Sequence, residues 1–583
     1  MMRKWIALLL ALAMVLSLCA CQSRKEPTSD GTVSAAAAAT GGWGSELHWN
    51  EYDELINRIR TTTGSPEERT QMLHEAEDRL METWCIAPIY YYKTPYMLKN
   101  SVSGIYENKH GVQYLYKAEL PNGRDSLNVC LCSEPGHLDP ALITSREESY
   151  LVENSFEGLM TCDEDGQLQC GQAENYEVSD DGLTYTFTMR EGLKWSNGDD
   201  LTAKDFEYSW RRAADPATAA DYGYLFEVLA DCQYDDQGNF TGLGEHSVEA
   251  SEDGKTLTVH LEAICPYFLD LCAFHTFYPV YQPSVEATAT AQLPSGTWAN
   301  DAGDQFVCNG PFALKSWNHD SDMTYVRNEN YWGAASIHLN TINLMLTSDD
   351  TVAYNAYNDS NGGESSLDMT TKIPNDELGK LMASGNPELH VADTMGTYYV
   401  GFNYNSKLYE ELGLNEEEAK VFRHALCLLI DREYIIDNIA QTGQQPATTI
   451  VPATCVDGTF KTKDYYSADD YEANVEEAKS LLESIGLWDG TKLTKPIAFD
   501  YMVNKSDLHV KTAEALQQDW GQIGIEVTIK TEEWNVFLED RKKGNYDVAR
   551  MGWYMDFDDP INILEMWTTA SGNNDCQFGR VVG

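Results

Sequence analysis

Positive charge is scarce in this chain: 41 Lys and Arg stand against 92 Asp and Glu over 583 residues, a formal net charge of −51. So acidic a body repels phosphates, which excludes nucleic acid and an anionic membrane surface as direct ligands of the folded part. A disulfide framework is missing too. Fourteen cysteines occur without one C-x-x-C pair, and the twelve that remain after Cys19 and Cys21 are scattered. We expect free, buried thiols and a reducing or anaerobic habitat. Cys130 and Cys132 should share one face of a strand, where such neighbours do not bridge. Catalytic signatures are lacking as well. His74-Glu75 has no second histidine, no G-x-S-x-G or P-loop occurs, and no two histidines have helical metal spacing. No enzyme, metal centre or bound cofactor is therefore expected. Beyond the first twenty residues no apolar run reaches about 18 residues, the length needed to span a bilayer.

What is present points to an exported, multi-lobed protein. A chain of 583 residues exceeds a single core, so two or three lobes are expected. Arg3 and Lys4 precede the apolar run Trp5–Leu18, which reads as an export signal too short for a comfortable transmembrane helix. Leu18-Cys19-Ala20-Cys21 resembles a bacterial lipobox, which makes Cys21 the expected lipidated residue and the outer face of the cell membrane the expected location. Gln22 to about Ser45, with five alanines in a row at Ala35–Ala39, reads as a flexible tether.

Order begins near Trp49. Tyr52, Leu55, Ile56 and Ile59 form the stripe of an amphipathic helix. Ser65-Pro66-Glu67-Glu68 is a capping box that opens a second helix, running to about Glu82. A strand follows over Ile86–Tyr92, ending in three tyrosines. Another strand starts at Ser126, and a hairpin turns at Asp181-Gly182 with Leu183, Tyr185, Phe187 and Met189 on one face. A helix follows from Thr202. Near the end, Tyr546–Pro560 starts as a strand and breaks at Gly552 into an aromatic, acidic turn behind Arg550. Taken alone, this turn is either a solvated acidic surface or the seat of a cationic ligand group.

Residues 173–210 resemble the signature of the extracellular solute-binding protein family five, the oligopeptide- and dipeptide-binding components of ABC importers. The likeness continues through Cys265-Pro266-Tyr267-Phe268, Asn309-Gly310-Pro311-Phe312, Arg327–Trp332, Phe422–Leu426 with Ile430-Asp431-Arg432, and His509–Trp553. The order departs from the family. Residues 50–116 resemble its C-terminal end yet precede its usual beginning near Ser126. The chain thus resembles a circular permutant with Leu115–Asn128 as connector, although a mis-joined gene model would read the same.

The resemblance implies an α/β, two-lobed periplasmic-binding-protein-like fold of class II, with a third smaller lobe and a circularly permuted order. The implied divisions are a signal at 1–20, a tether at 21–46, distal-lobe residues 47–92, and first-lobe residues with the connector at 93–156. A small extra lobe at 157–279, the rest of the first lobe at 280–396 and the distal lobe at 397–583 follow. The hinge is expected near Asp393–Asn403. A peptide would lie extended between the lobes and pair its backbone as an added strand. Its α-ammonium would meet Asp556, reached through Gly552, Trp553 and Tyr554, with Asp558 and Asp559 as fallbacks. Trp534 is implied as an aromatic wall, or else core. Arg541 and Arg550 would meet peptide side chains or the C-terminal carboxylate, although Arg541 reads equally as a solvated face beside Lys542-Lys543. His509 is either a pocket histidine or a helix N-terminal surface residue. Tyr92, Tyr399 and Tyr224 would supply hydroxyls or flat surfaces, or else core. A cleft-spanning disulfide of some relatives is replaced by Gly396 and Tyr554. The implied partners are a peptide and an ABC permease with its ATPase, the receptor acting as a monomer. A receptor of the same fold for nickel, haem or a sugar, or a peptide sensor, is the alternative. Asp556 favours a peptide, because a haem or a sugar has no ammonium to offer it.

Overall fold

The computed structural model describes residues 46–62, 64–235, 240–359, 366–468 and 470–580; the expected signal, Cys21 and nearly all of the tether lie outside them. Helix α1 (Glu46–Thr61) buries the predicted stripe of Tyr52, Leu55, Ile56 and Ile59. Helix α2 (Pro66–Met81) opens on the predicted capping box. Ser65 Oγ accepts from the Glu68 amide at 3.3 Å, while the Ser65 amide donates to the Glu68 carboxylate at 3.2 Å.

Ten strands form the main sheet: β1 (Ile86–Leu98), β2 (Ser126–Cys130), β3 (Phe312–Asn318), β4 (Asp322–Arg327), β5 (Thr341–Met345), β6 (Met369–Thr370), β7 (Leu389–Phe402), β8 (Ala498–Asn504), β9 (Glu526–Glu532) and β10 (Val548–Tyr554). Their order is β3-β4-β5-β2-β6-β1-β7-β10-β8-β9. The two longest strands, β1 and β7, lie side by side and antiparallel, and they join a β2–β6 half to a β8–β10 half. β1 does not stop at Tyr92, as the sequence reading expected, but continues to Leu98 along β7. Pro88 and Pro95 look like breakers, yet the long antiparallel partner overrides them. Two irregularities, between Pro88 and Tyr90 and between Tyr91 and Lys93, absorb the misfit. The second leaves Tyr92 as the bulged residue, and a bulge re-aims its side chain.

A smaller antiparallel sheet orders Val248–Ala250, Thr256–His260, Thr184–Met189 and Ala173–Val178. Its predicted hairpin turns at Gly182, whose φ of +74° favours glycine. The helix Ala203–Ala214 buries Phe206 and Trp210.

The start and end of the described chain are packed together. The Trp49 ring stacks on Phe578 at 4.2 Å and its indole donates to the Trp567 carbonyl at 2.9 Å. Tyr52 Oη donates to the Leu564 carbonyl at 2.7 Å. Arg69 grips Asp559 with two bonds of 2.7 and 2.9 Å, both side chains buried. Residues 46–81 are therefore packed against residues 559–578, and β1, which follows them, runs on to pair with both β7 and β6.

The twelve described cysteines are all free and nine are buried. The shared face expected for Cys130 and Cys132 is not found. β2 ends at Cys130, which packs with Met97 and Tyr357, whereas Cys132 joins the main core. Among the described residues no helix is long and apolar enough to cross a membrane.

Candidate ligand-binding site

The site grows from the end of β10. Alternation along a strand puts Arg550, Gly552 and Tyr554 on one face. Opposite them on β7, Tyr398 pairs with Gly552 and Gly396 with Tyr554. Gly552 has to be glycine, since a Cβ there would lie 2.2 Å from Tyr92 Oη. The bulged Tyr92 stacks on Tyr554 with ring centres 4.2 Å apart. Gly396 leaves room for that stack, because a Cβ on it would meet both rings at about 3 Å. Gly396 and Tyr554, which replace the disulfide of some relatives, thus face each other across two strands. Tyr554 remains 46% exposed, with the Arg146 guanidinium 5.8 Å above its ring.

Arg550 is only 9% exposed, yet among the described residues it forms no ion pair. It donates one hydrogen bond, to Tyr92 Oη at 3.3 Å, and lies 5.2 Å from the Tyr398 ring centre. Its Nε, His509 Nδ1 and the hydroxyls of Tyr90 and Tyr501 are buried and find no hydrogen-bond partner among the described residues. His509 sits in the first turn of the helix Asp507–Gly521, with its ring 5.5 Å from that of Tyr398. Burial, helped by Arg550, pushes its pKa down to about 3, so the ring is neutral.

Asp556 lies just past the strand. Its Oδ1 accepts from Tyr222 Oη at 2.8 Å and its Oδ2 from Asn562 Nδ2 at 3.1 Å. Burial pushes its pKa up, and those two bonds together with nearby His110 pull it back. Among the described residues it has no cationic partner within ion-pair distance. The fallback aspartates differ. Asp558 is held by Lys109 at 2.6 Å and by the Val456 amide at 2.6 Å, and Asp559 by Arg69. Of the three acids in the turn, only Asp556 is left with an open negative charge.

Other expected residues divide between cleft and core. Trp553 donates its indole N–H to Asn562 Oδ1 at 2.9 Å. Trp534 begins the helix Trp534–Lys543 and is 49% exposed, so it is not core. Tyr224 borders a cavity of about 220 Å³ shared with Arg60, Tyr267, Phe557 and Glu565. Tyr399 has to be corrected. It is buried on the opposite face of β7 against Trp567, and Tyr398 is the residue on the Arg550 side. Arg541 is corrected too. It pairs with Asp575 at 2.6 Å with its side chain 13% exposed, so it is neither a solvated residue nor one available to a ligand. Tyr222 and Asn562 escaped the sequence reading. Neither belongs to a motif, and only the tertiary fold brings them to Asp556.

The family described as "Bacterial extracellular solute-binding proteins, family 5 Middle" matches residues 167–575. The chain is similar to the oligopeptide-binding protein OppA of Bacillus subtilis (strain 168), 33% identical over 458 residues that cover 78% of this chain and 79% of that one. It is also similar to a probable deoxycholate-binding periplasmic protein, YgiS, of Escherichia coli (strain K12), 31% identical over 447 residues, 76% of this chain and 78% of that one. Among solved structures it is similar to Haemophilus influenzae OppA in complex with the peptide RPPGFSPFR. That likeness has a TM-score of 0.60 at 28% identity and covers 78% of this chain and 85% of the other.

Proposed function

The chain belongs to the family 5 bacterial extracellular solute-binding proteins, and we propose that it captures peptides with free termini between the two halves of its sheet and delivers them to an ABC importer. The fold is the α/β, two-lobed periplasmic-binding-protein type of these relatives. One observation carries the choice of ligand. Asp556 has an open negative charge and Arg550 an open positive one, and both lie along the same strand and the turn after it. The four residue steps from Gly552, beside the Arg550 guanidinium, to Asp556 span at most about 14 Å. A zwitterion fits that spacing, its ammonium on Asp556 and a carboxylate on Arg550, and each charge in a closed cleft is costly when unpaired.

Tyr92, Tyr554 and Trp534 supply the aromatic walls, and a neutral His509 can hydrogen-bond beside Arg550. The peptide backbone is read as an added strand, so affinity depends little on side chains. β1 and β7, the strands common to both halves, are the hinge. A carboxylate ligand without an ammonium, of the kind named for the E. coli relative, would leave Asp556 unpaired. We also infer a binding role rather than catalysis, a lipid anchor at Cys21 on the outer face of the cell membrane, and action as a monomer. A permuted chain order is supported by the stacking of Trp49 on Phe578, which places the two ends of the described chain side by side.

Mass spectrometry of what the purified protein releases on unfolding tests the reading. Peptides with free amino termini are expected, and recovery of non-peptide solutes alone would overturn it.

A further inference from the structure

We propose that Asn562 is a positioning residue for ligand capture: it aims the Asp556 carboxylate and keeps it charged without neutralising it. The inference rests on the reading of Asp556 as the ammonium anchor. Asn562 lies on the short helix Ile561–Leu564 and is 2% exposed. Its Oδ1 accepts from the Trp553 indole at 2.9 Å and from the Asp556 amide at 3.3 Å, and its Nδ2 donates to Asp556 Oδ2 at 3.1 Å.

Both groups facing Oδ1 are N–H donors, so the amide cannot be turned the other way round. Its NH₂ must point at the carboxylate. One planar group thus ties three things together: the indole before the turn, the backbone of the turn and the acid itself. The second support, Tyr222 Oη, reaches the other carboxylate oxygen at 2.8 Å. Both supports are neutral donors. They favour the ionised acid against burial, yet leave its charge and its remaining lone pairs for an incoming ammonium. A lysine or arginine in either place would consume the charge, as happens at Asp558 and Asp559. His110, Tyr224 and Glu565 are the other titratable groups around Asp556, and none is hydrogen-bonded to it.

Calorimetry on the full-length protein with a free peptide and its N-acetylated form, in buffers of different ionisation heat, tests this. Asn562→Leu should weaken the free peptide about tenfold to a hundredfold, the range for losing a hydrogen bond to a charged group, and leave the acetylated peptide unchanged. Asn562→Asp keeps both acceptor bonds and so should fold even if the leucine variant does not. It sets two carboxylates face to face, and they then share a proton. Binding of the free peptide near neutral pH should then release close to one proton that the parent does not release. Equal losses for both peptides in Asn562→Leu, or an unchanged proton count in Asn562→Asp, would overturn the proposal. If the parent protein itself fails to distinguish free from acetylated peptide, the Asp556 reading fails first, and the two failures are thereby told apart.

Discussion

Asp556→Asn removes the anchor's charge and almost nothing else. An asparagine side chain can turn its oxygen to Asn562 Nδ2 and its NH₂ to Tyr222 Oη, since a phenol hydroxyl accepts as well as donates. The ligand-free protein should therefore melt as before. Binding should not survive as well. The ammonium of a free peptide would enter a closing cleft opposite a neutral amide, and losing one partner of such a pair costs about 2–5 kcal/mol. That is a loss of about 30-fold to several-thousandfold in affinity at 25 °C. An N-acetylated peptide has no charge to lose, so it should bind the parent weakly and the variant equally weakly. The pH dependence has a definite sign. An ammonium beside Asp556 favours its ionised form, so affinity should fall as acid protonates the unliganded carboxylate. Burial holds that carboxyl above the ordinary aspartate range, so the fall begins at a higher pH than for an exposed aspartate. Asp556→Asn should lose this acid limb. Isothermal calorimetry at several pH values measures all three effects, and equal affinity of the parent for free and acetylated peptides would refute the reasoning.

Other variants probe the rest of the frame. Arg550→Met removes a buried cation that has no carboxylate partner, so the ligand-free protein should melt at the same or a higher temperature while peptides with a free carboxylate bind at least about tenfold more weakly. Unchanged affinity would remove Arg550 from the site. Arg69→Met strands Asp559 in a buried position and should cost about 3–5 kcal/mol in denaturant unfolding, and Arg69→Met with Asp559→Leu should recover most of it. Burial raises Glu77 and Glu153 to about 7, so the native state holds more protons than the unfolded chain between about pH 4.5 and 7. Stability should then fall as pH rises through that window, by at most about 3 kcal/mol per group, and Glu77→Gln should flatten its share. Deleting residues 47–116 should unfold the β8–β10 half, which loses β1 and both helices; a truncated protein that still binds peptide, or rapid proteolysis between Trp49 and Tyr92 in the intact one, would argue against the permuted order.

How far the sequence could be read depended on how local each cause was. The Ser65 capping box and the Asp181-Gly182 turn are decided within a few residues, and both stand where the pattern put them. The faces of β7 were beyond reach. Every residue from Thr394 to Phe402 is buried, so no alternation of polar and apolar residues marks which tyrosine shares the Arg550 face, and only the pairing with β10 shows that it is Tyr398 while Tyr399 is core. The turn Asp556-Phe557-Asp558-Asp559 raised the same difficulty in charge rather than burial. Three carboxylates within four residues look alike until their partners are known. Arg69 and Lys109 are those partners, from 490 and 449 residues away in the chain. Both lie within residues 46–116. That stretch therefore does more than pack against the end of the chain. By occupying Asp558 and Asp559 it leaves Asp556 as the open charge of the turn. With residues 46–116 detached, all three acids of the turn would stand open, and under the proposed reading none would be singled out for the ammonium.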